Sequence, residues 1–240
     1  MSHLFLVRHG QSEWNAENRF TGWVDVDLAA KGKLEAVKSG ELIKLTKVNL
    51  DFFYTSFQKR AIETLKLILN TLRLKDEQII KAWQLNERHY GALTGLNKDE
   101  MKKNFGEKKI LEFRRSWDIS PEPLNKNNPY HPINIDVYNN IPRNEIPDTE
   151  SLKNTYDRVI PYFKKYILPS LKQEKNILIS AHGNSLRALC KYLFNISDTK
   201  INELEIPTGN PLVIEFDDNL EIKKYYYLDK DRAKEIIFNQ

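Results

Sequence analysis

Two histidines in this sequence stand where a buried strand would reach its end. His9 follows the apolar run Leu4-Phe5-Leu6-Val7 and Arg8, and His182 follows Ile177-Leu178-Ile179-Ser180-Ala181. Each is followed by a glycine, Gly10 or Gly183. Residues able to cap a helix come next: Ser12 after the first histidine, Asn184 or Ser185 after the second. Glycine permits a tight turn and a close approach of a ligand to the backbone. A helix N-terminus beyond the turn offers free N–H groups and a positive dipole end, which suits a phosphate. Arg60 falls in the first turn of another candidate helix, after a run ending in Thr55-Ser56, and the carboxylate Glu87 follows a third apolar run.

These residue types fit phosphoryl transfer. A neutral imidazole is a good nucleophile toward phosphorus and gives a labile phosphoramidate. Its attack builds charge on the equatorial oxygens. Arginines, a second histidine and backbone N–H groups offset that charge in a dry pocket. A carboxylate such as Glu87 must carry a proton to and from the alcohol oxygen. Taken singly, each histidine has an ordinary alternative as a hydrogen-bonded structural residue. Two His-Gly strand ends in one chain, with an arginine at a third, favour a site.

The elements that must position these groups alternate. Strands are expected at residues 4–7, 50–55, 79–83 and 177–181. Helices are expected at 33–45, with Leu34, Val37, Ile43 and Leu45 on one face, and at 57–74. Further helices are expected over the charged stretch 97–117, over 151–172 with breaks near Pro161 and Pro169, and after His182. Residues 118–148, rich in proline and asparagine, read as an irregular excursion, and 211–216 with 222–228 as a hairpin. Residues 230–239 read as a short charged helix at best. This alternation implies an α/β fold: three layers, with a mainly parallel sheet covered by helices on both faces. Ligands of such sheets bind beyond the carboxyl ends of the strands, where His9 and His182 stand.

Composition narrows the function classes. A chain of 240 residues with 40% hydrophobic and 29% charged residues suits one globular domain spanning 1–240, with a short tail at 229–240. A net charge of +4 gives no reason to expect a nucleic-acid partner, though a local basic cleft would favour anions. A single cysteine, Cys190, rules out an internal disulfide and reads as core. No membrane span or signal peptide is expected, so a cytoplasmic location is the default. The four tryptophans read as packing, the lysine clusters as solvent-facing, and His3, His89 and His131 have no evident partners.

The segment Leu6-Val7-Arg8-His9-Gly10-Gln11-Ser12-Glu13-Trp14-Asn15 resembles the signature of the histidine phosphatase superfamily. Longer stretches resemble its 2,3-bisphosphoglycerate-dependent phosphoglycerate mutases. They include Asn18-Arg19-Phe20-Thr21-Gly22-Trp23, Leu85-Asn86-Glu87-Arg88-His89-Tyr90-Gly91 and Arg114-Arg115-Ser116-Trp117. They also include Ala181-His182-Gly183-Asn184-Ser185 and Ile206-Pro207-Thr208-Gly209. The resemblance implies His9 as the phosphorylated nucleophile, His182 as its partner and Glu87 as proton donor and acceptor. It implies that Arg8, Asn15 and Arg60 bind the transferring group with the backbone of Gly183 and Asn184. Thr21, Gly22, Tyr90, Lys98, Arg114 and Arg115 would hold the rest of a phosphoglycerate. Phospho-His9 would donate to 3-phosphoglycerate and be restored by the other phosphoryl group of 2,3-bisphosphoglycerate, which also primes the enzyme. No metal is implied, and a homodimer or homotetramer is.

Three departures from the family pattern are visible. Gln11 stands where glutamate is usual, Ser120-Pro121-Glu122-Pro123 replaces a run richer in proline, and the sequence ends at Gln240 without a lysine- and glycine-containing tail. The last implies more access of water to the phosphohistidine. Competing readings are a bisphosphoglycerate mutase or small-molecule phosphatase of the same superfamily, and a non-catalytic binding protein on the fold. The last would be expected to have lost His9, Glu87 or His182, and all three are present.

Overall fold

The computed structural model describes residues 1–74 and 76–234. Six strands form one mixed sheet: β1 (Ser2–Arg8), β2 (Phe52–Thr55), β3 (Ile79–Lys81), β4 (Ile177–Ala181), β5 (Leu212–Phe216) and β6 (Ile222–Tyr227). The order across the sheet is β3-β2-β4-β1-β5-β6. The first four strands run parallel, and β5 is antiparallel to both its neighbours. The helices are α1 (Glu13–Ala16), α2 (Ala30–Leu45), α3 (Lys59–Leu72), α4 (Lys98–Phe105), α5 (Glu107–Arg115), α6 (Leu152–Tyr162), α7 (Leu168–Lys172) and α8 (Gly183–Leu193). Among the described residues no helix is long and apolar enough to cross a membrane.

Strand alternation sorts the core into two halves. Leu4, Leu6, Ile177, Ile179, Leu212 and Ile214 face α6 and α8, meeting Val159, Ile160, Leu186 and Leu189. Phe5, Val7, Phe53, Leu178 and Val213 face the opposite way, onto Ile43 of α2 and Leu65, Ile68 and Leu69 of α3. Helices therefore cover both faces, as the alternation of elements predicts. Register then fixes the site. Arg8 lies opposite Ala181 and Thr55 opposite Ser180, so β1, β2 and β4 end at one level. His9, Ser56 and His182 emerge side by side.

Several local readings differ. Leu34 and Leu45 of α2 are 72% and 77% exposed, and the buried face is Gly32, Ala36, Ser39, Gly40 and Ile43. The helix packs by backbone proximity rather than by large side chains. A Cβ at Gly32 would lie 2.1 Å from the carbonyl oxygen of Gln11, and one at Gly40 2.7 Å from Cβ of Thr71. The charged stretch 97–117 is two helices, split at Gly106 where φ is +85°. The third strand ends at Lys81, and Trp83–Leu85 is a 3-10 turn. Pro161 lies inside α6; a π turn at Phe163–Ile167 then leads into α7. The excursion at 118–148 holds only 3-10 turns. Of the helix expected at 230–239, Lys230–Arg232 is a 3-10 turn, and residues 235–240 of the tail lie outside the described residues.

The close seat of α2 is testable. Gly32→Ala drives a methyl group into rigid backbone, and overpacking of this kind costs about 1–3 kcal/mol or more. Chemical denaturation should show that loss; an unchanged midpoint would mean that the turn after β1 yields freely.

Candidate active site

His9 is 2% exposed and anchored by its own N–H to the Ala181 carbonyl oxygen, 2.9 Å away. Its Nδ1 lies 2.7 Å from the carbonyl oxygen of Gly10. A carbonyl only accepts, so Nδ1 carries the proton. In the neutral ring Nε2 then stays unprotonated and acts as an acceptor. Burial, with the Arg60 and Arg8 guanidinium groups beside it, holds the His9 pKa well below 6.5, so the neutral form prevails at neutral pH.

The His182 ring meets His9 edge-on, with centroids 4.9 Å apart. Its Nε2 is 2.7 Å from Ser56 Oγ. That oxygen also accepts the Gln58 N–H. The other ring nitrogen, Nδ1, is buried and lacks a protein partner among the described residues. Burial and the nearby Arg60 lower the His182 pKa as well. The cap of α8 is His182 itself rather than Asn184 or Ser185, and Ser185, three residues on, accepts the His182 N–H on its Oγ. Asn184 instead donates its own N–H to Glu87 Oε1 and its Nδ2 to the Tyr90 hydroxyl.

Arg60 projects from the first turn of α3 and is fully buried. Its Nε donates to His9 Nε2 at 3.3 Å, while its Nη atoms donate to the carbonyls of Val24 and Gly22. Gln58 sets two walls of the site at once. Its amide donates to the Gly22 carbonyl and accepts the Glu87 N–H. Glu87 Oε1 accepts from the Arg88 and Asn184 N–H groups, and no hydrogen bond to Oε2 is found among the described residues. A Cβ on Gly183 would sit 3.5 Å from Arg8 Nε and 3.7 Å from Glu87 Oε2. The glycine thus leaves the space between these two side chains open to a ligand.

Two adjoining cavities, of about 70 and 140 Å³, share Arg8, Glu87, Tyr90 and Arg114. Asn15, Thr21, Gly22, Arg60 and Lys98 complete the walls beside His9, and Arg115, Gly183 and Asn184 complete the other chamber. Every residue expected at the site lines one chamber or, like His182, touches His9. Sequence reasoning missed Arg19, Arg187 and Glu205 as lining residues. The walls carry seven cationic side chains (Arg8, Arg19, Arg60, Lys98, Arg114, Arg115 and Arg187) against the carboxylates Glu87 and Glu205. Burial, with Arg115 and Arg88 nearby, pulls Arg187 down to about 9. Burial raises the Tyr90 hydroxyl, but Arg88, Arg114 and Lys98 outweigh it and leave its pKa lowered. Such a pocket suits a small molecule bearing several negative charges.

Support comes from residues with no sequence signal of their own. Arg158 pairs with Glu150 at 2.6 Å, both nearly buried, and donates to the carbonyls of Gln84, Asn86 and Glu87. Glu150 also accepts the His89 N–H, so the pair staples the loop that carries Glu87. The unassigned histidines have partners: His3 bonds Asn176, His131 bonds Asp148, and His89 Nδ1 accepts the Gly91 N–H.

A fold with this sheet, and a site of two facing imidazoles ringed by guanidinium groups, define a phosphohistidine-type α/β enzyme class. Residues 4–131 and 128–226 match the histidine phosphatase superfamily (branch 1), and the chain belongs to that superfamily. It is 67% identical over 237 residues, 99% of each chain, to the 2,3-bisphosphoglycerate-dependent phosphoglycerate mutase of Pelagibacter ubique. It is 51% identical to the enzyme of that name from a Caulobacter species, over 98% of each chain. Among solved structures, a mycobacterial glucosyl-3-phosphoglycerate phosphatase superposes with a TM-score of 0.70 at 18% identity, covering 94% of this chain and 96% of the other. At that identity the likeness concerns the fold.

The buried neutral histidines make acid sensitivity a test. His9, His182 and His89, the last held at about 3, all take protons in the unfolded chain near pH 6.5 but resist them when folded. The unfolded state therefore binds more protons between these limits, and stability falls as pH drops from about 6.5 toward 3. Denaturation curves over that range should show the decline; a stability that rises on acidification would mean that these rings are charged in the fold.

Proposed function

We propose that this chain interconverts 3-phosphoglycerate and 2-phosphoglycerate by passing a phosphoryl group through Nε2 of His9. The carrying observation is the tautomer: the Gly10 carbonyl fixes the proton on Nδ1 and leaves Nε2 unprotonated, accepting from Arg60 Nε beneath a ring of cations. The substrate class rests on the named relatives and on the pocket charge, which fits a carboxylate together with a phosphate. In this reading 2,3-bisphosphoglycerate supplies the phosphoryl group that loads His9. The buried Arg8 Nε, Thr21 Oγ1 and Arg187 Nε atoms, which lack partners among the described residues, fit such a polyanion.

The chain's own groups divide the work. Arg8, Arg60, Asn15, His182 and the N-terminal N–H groups at Gly183 and Asn184 hold the transferring group and offset its charge. Glu87 gives and takes the proton of the alcohol oxygen through Oε2, its Oε1 being engaged by two N–H groups. Thr21, Gly22, Tyr90, Lys98, Arg114 and Arg115 hold the remainder of the phosphoglycerate. The chain acts as one domain without a metal, in glycolysis and gluconeogenesis. The same relatives lead us to place it in the cytoplasm as a homodimer or homotetramer; light scattering reads the assembly.

Conversion assayed with and without 2,3-bisphosphoglycerate, and with a chelator present, tests this reading. Dependence on the bisphosphate and indifference to the chelator are expected. Rapid release of inorganic phosphate without isomerisation would instead make the chain a phosphatase. His9→Ala should abolish both turnover and acid-labile phosphorylation, and full activity in that variant would sink the mechanism. Glu87→Gln should slow transfer by about 10²–10⁴-fold. An unchanged rate would assign the proton work elsewhere.

A further inference from the structure

We infer that Glu35 acts through the Gly10–Gln11 peptide as a positioning residue that raises the nucleophilicity of His9. The inference rests on the reading of His9 as nucleophile and extends it to a residue on a different element. Glu35 lies on α2, and its Oε2 accepts the Gln11 N–H at 2.8 Å. That N–H and the Gly10 carbonyl belong to one peptide group. The Gly10 carbonyl oxygen in turn accepts the His9 Nδ1 proton at 2.7 Å. A carboxylate, an amide and an imidazole thus stand in series.

The geometry around this series holds it in place. The Gly10 N–H donates to Thr64 Oγ1, whose hydroxyl is itself fixed on the Arg60 carbonyl. Glu35 is brought within reach because Gly32, one turn earlier on α2, touches the Gln11 carbonyl. The carboxylate is 12% exposed, and the Arg232 guanidinium stands 3.8 Å from its other oxygen. Little water competes for it.

Hydrogen bonds in series polarise one another, and a charged acceptor at one end strengthens each link. Negative charge at Glu35 draws the Gln11 N–H, shifts amide electron density onto the Gly10 oxygen and strengthens its hold on the Nδ1 proton. The ring then carries more electron density at Nε2. A carboxylate bonded directly to imidazole does this in hydrolase triads; here an amide stands between. In the step itself, the Nε2 lone pair forms the N–P bond as the ester P–O bond breaks. The leaving oxygen takes a proton from the Glu87 carboxyl, and Nδ1 keeps its own.

Glu35→Gln separates charge from shape, because the amide oxygen still accepts the Gln11 N–H. Single-turnover phosphorylation of His9 by 2,3-bisphosphoglycerate should slow by roughly five- to thirtyfold, the size expected when a charged hydrogen bond becomes neutral. KM should stay within about twofold, since Glu35 is not among the lining residues. The Nδ1–H proton resonance of His9 should move upfield. A Glu35→Gln enzyme as fast as wild type, with only Glu35→Ala impaired, would show that the hydrogen bond is structural and overturn the inference. If Glu35→Gln does not fold, the wild-type spectrum decides. An Nδ1–H resonance downfield of an imidazole bonded to an ordinary carbonyl supports the relay, and an ordinary position overturns it. A wild-type enzyme whose His9 accepts no phosphoryl group fails the parent reading instead.

Discussion

Guanidinium groups crowd around two neutral imidazoles in this fold, and carbonyl oxygens rather than carboxylates hold most of them. Arg8 donates to Ile206, Arg60 to Val24 and Gly22, Arg115 to Leu204, and Arg187 to Arg115 and Ile201. Arg19 and Arg88 likewise donate to the carbonyls of Gly95 and Phe113. A carboxylate partner would stabilise each cation more, but it would cancel the positive potential that an anionic substrate needs. A carbonyl satisfies the geometry and leaves the charge. The cost is mutual repulsion and desolvation, visible in the lowered pKa values of Arg60, Arg115 and Arg187, with burial the leading cause in each. Burial, and then the same field, lower the pKa of both histidines and so keep Nε2 of His9 unprotonated.

That arrangement explains why loops run beside the helices that carry most of the site's cations, Arg60 on α3, Lys98 on α4, Arg114 and Arg115 on α5 and Arg187 on α8. Carbonyls inside a helix or strand are already bonded to the backbone. Those of Gly22, Val24, Gly95, Leu204 and Ile206 lie in irregular segments and are free to accept from side chains. The regular elements supply the fixed part. Level strand ends bring His9 and His182 together, and α3 delivers Arg60 from its first turn. The buried carboxylate pair of Arg158 with Glu150 holds the Glu87 loop, and neither residue lines the two chambers; at the chambers themselves Arg19 pairs with Glu17 and Arg115 with Glu205.

The histidines were legible because a polar residue and a glycine cut short an apolar run, a break that buried strands rarely leave by chance. Glu87 stood out by its place after a third apolar run, whereas Arg114 and Arg115 needed the family resemblance, since nothing local sets them apart from surface charge. The apolar face of α2 was misread for a physical reason. Counting large side chains as core favours Leu34 and Leu45, whereas Gly32, Ala36 and Gly40 pack by having almost no side chain. Gln58, Glu35 and Arg158 were invisible for another reason. Their roles come from contacts across 24 to 74 positions of sequence. An isolated glutamine or glutamate on a helix carries no mark of them.

The excursion at 118–148 follows from the same need for precise loops. It has no sheet or long helix to stabilise it, yet its ties are specific. The Tyr138 hydroxyl donates to the Trp23 carbonyl, in the loop that presents Thr21 and Gly22. The Glu122 carbonyl accepts the Ala92 N–H, and the His131 ring packs at a tilt against His89, both beside the segment carrying Glu87 and Tyr90. Tyr130 packs edge-on against Trp14, next to Asn15. One irregular segment therefore grips three separate walls of the pocket. Its lack of regular structure is what allows this, because a single helix or strand would present its contacts along one line. Its packing against Trp23, through Tyr138 and Ile141, forms a small core of its own away from the sheet. That core fixes the loop that presents Thr21 and Gly22, which must keep its place beside cations that repel one another.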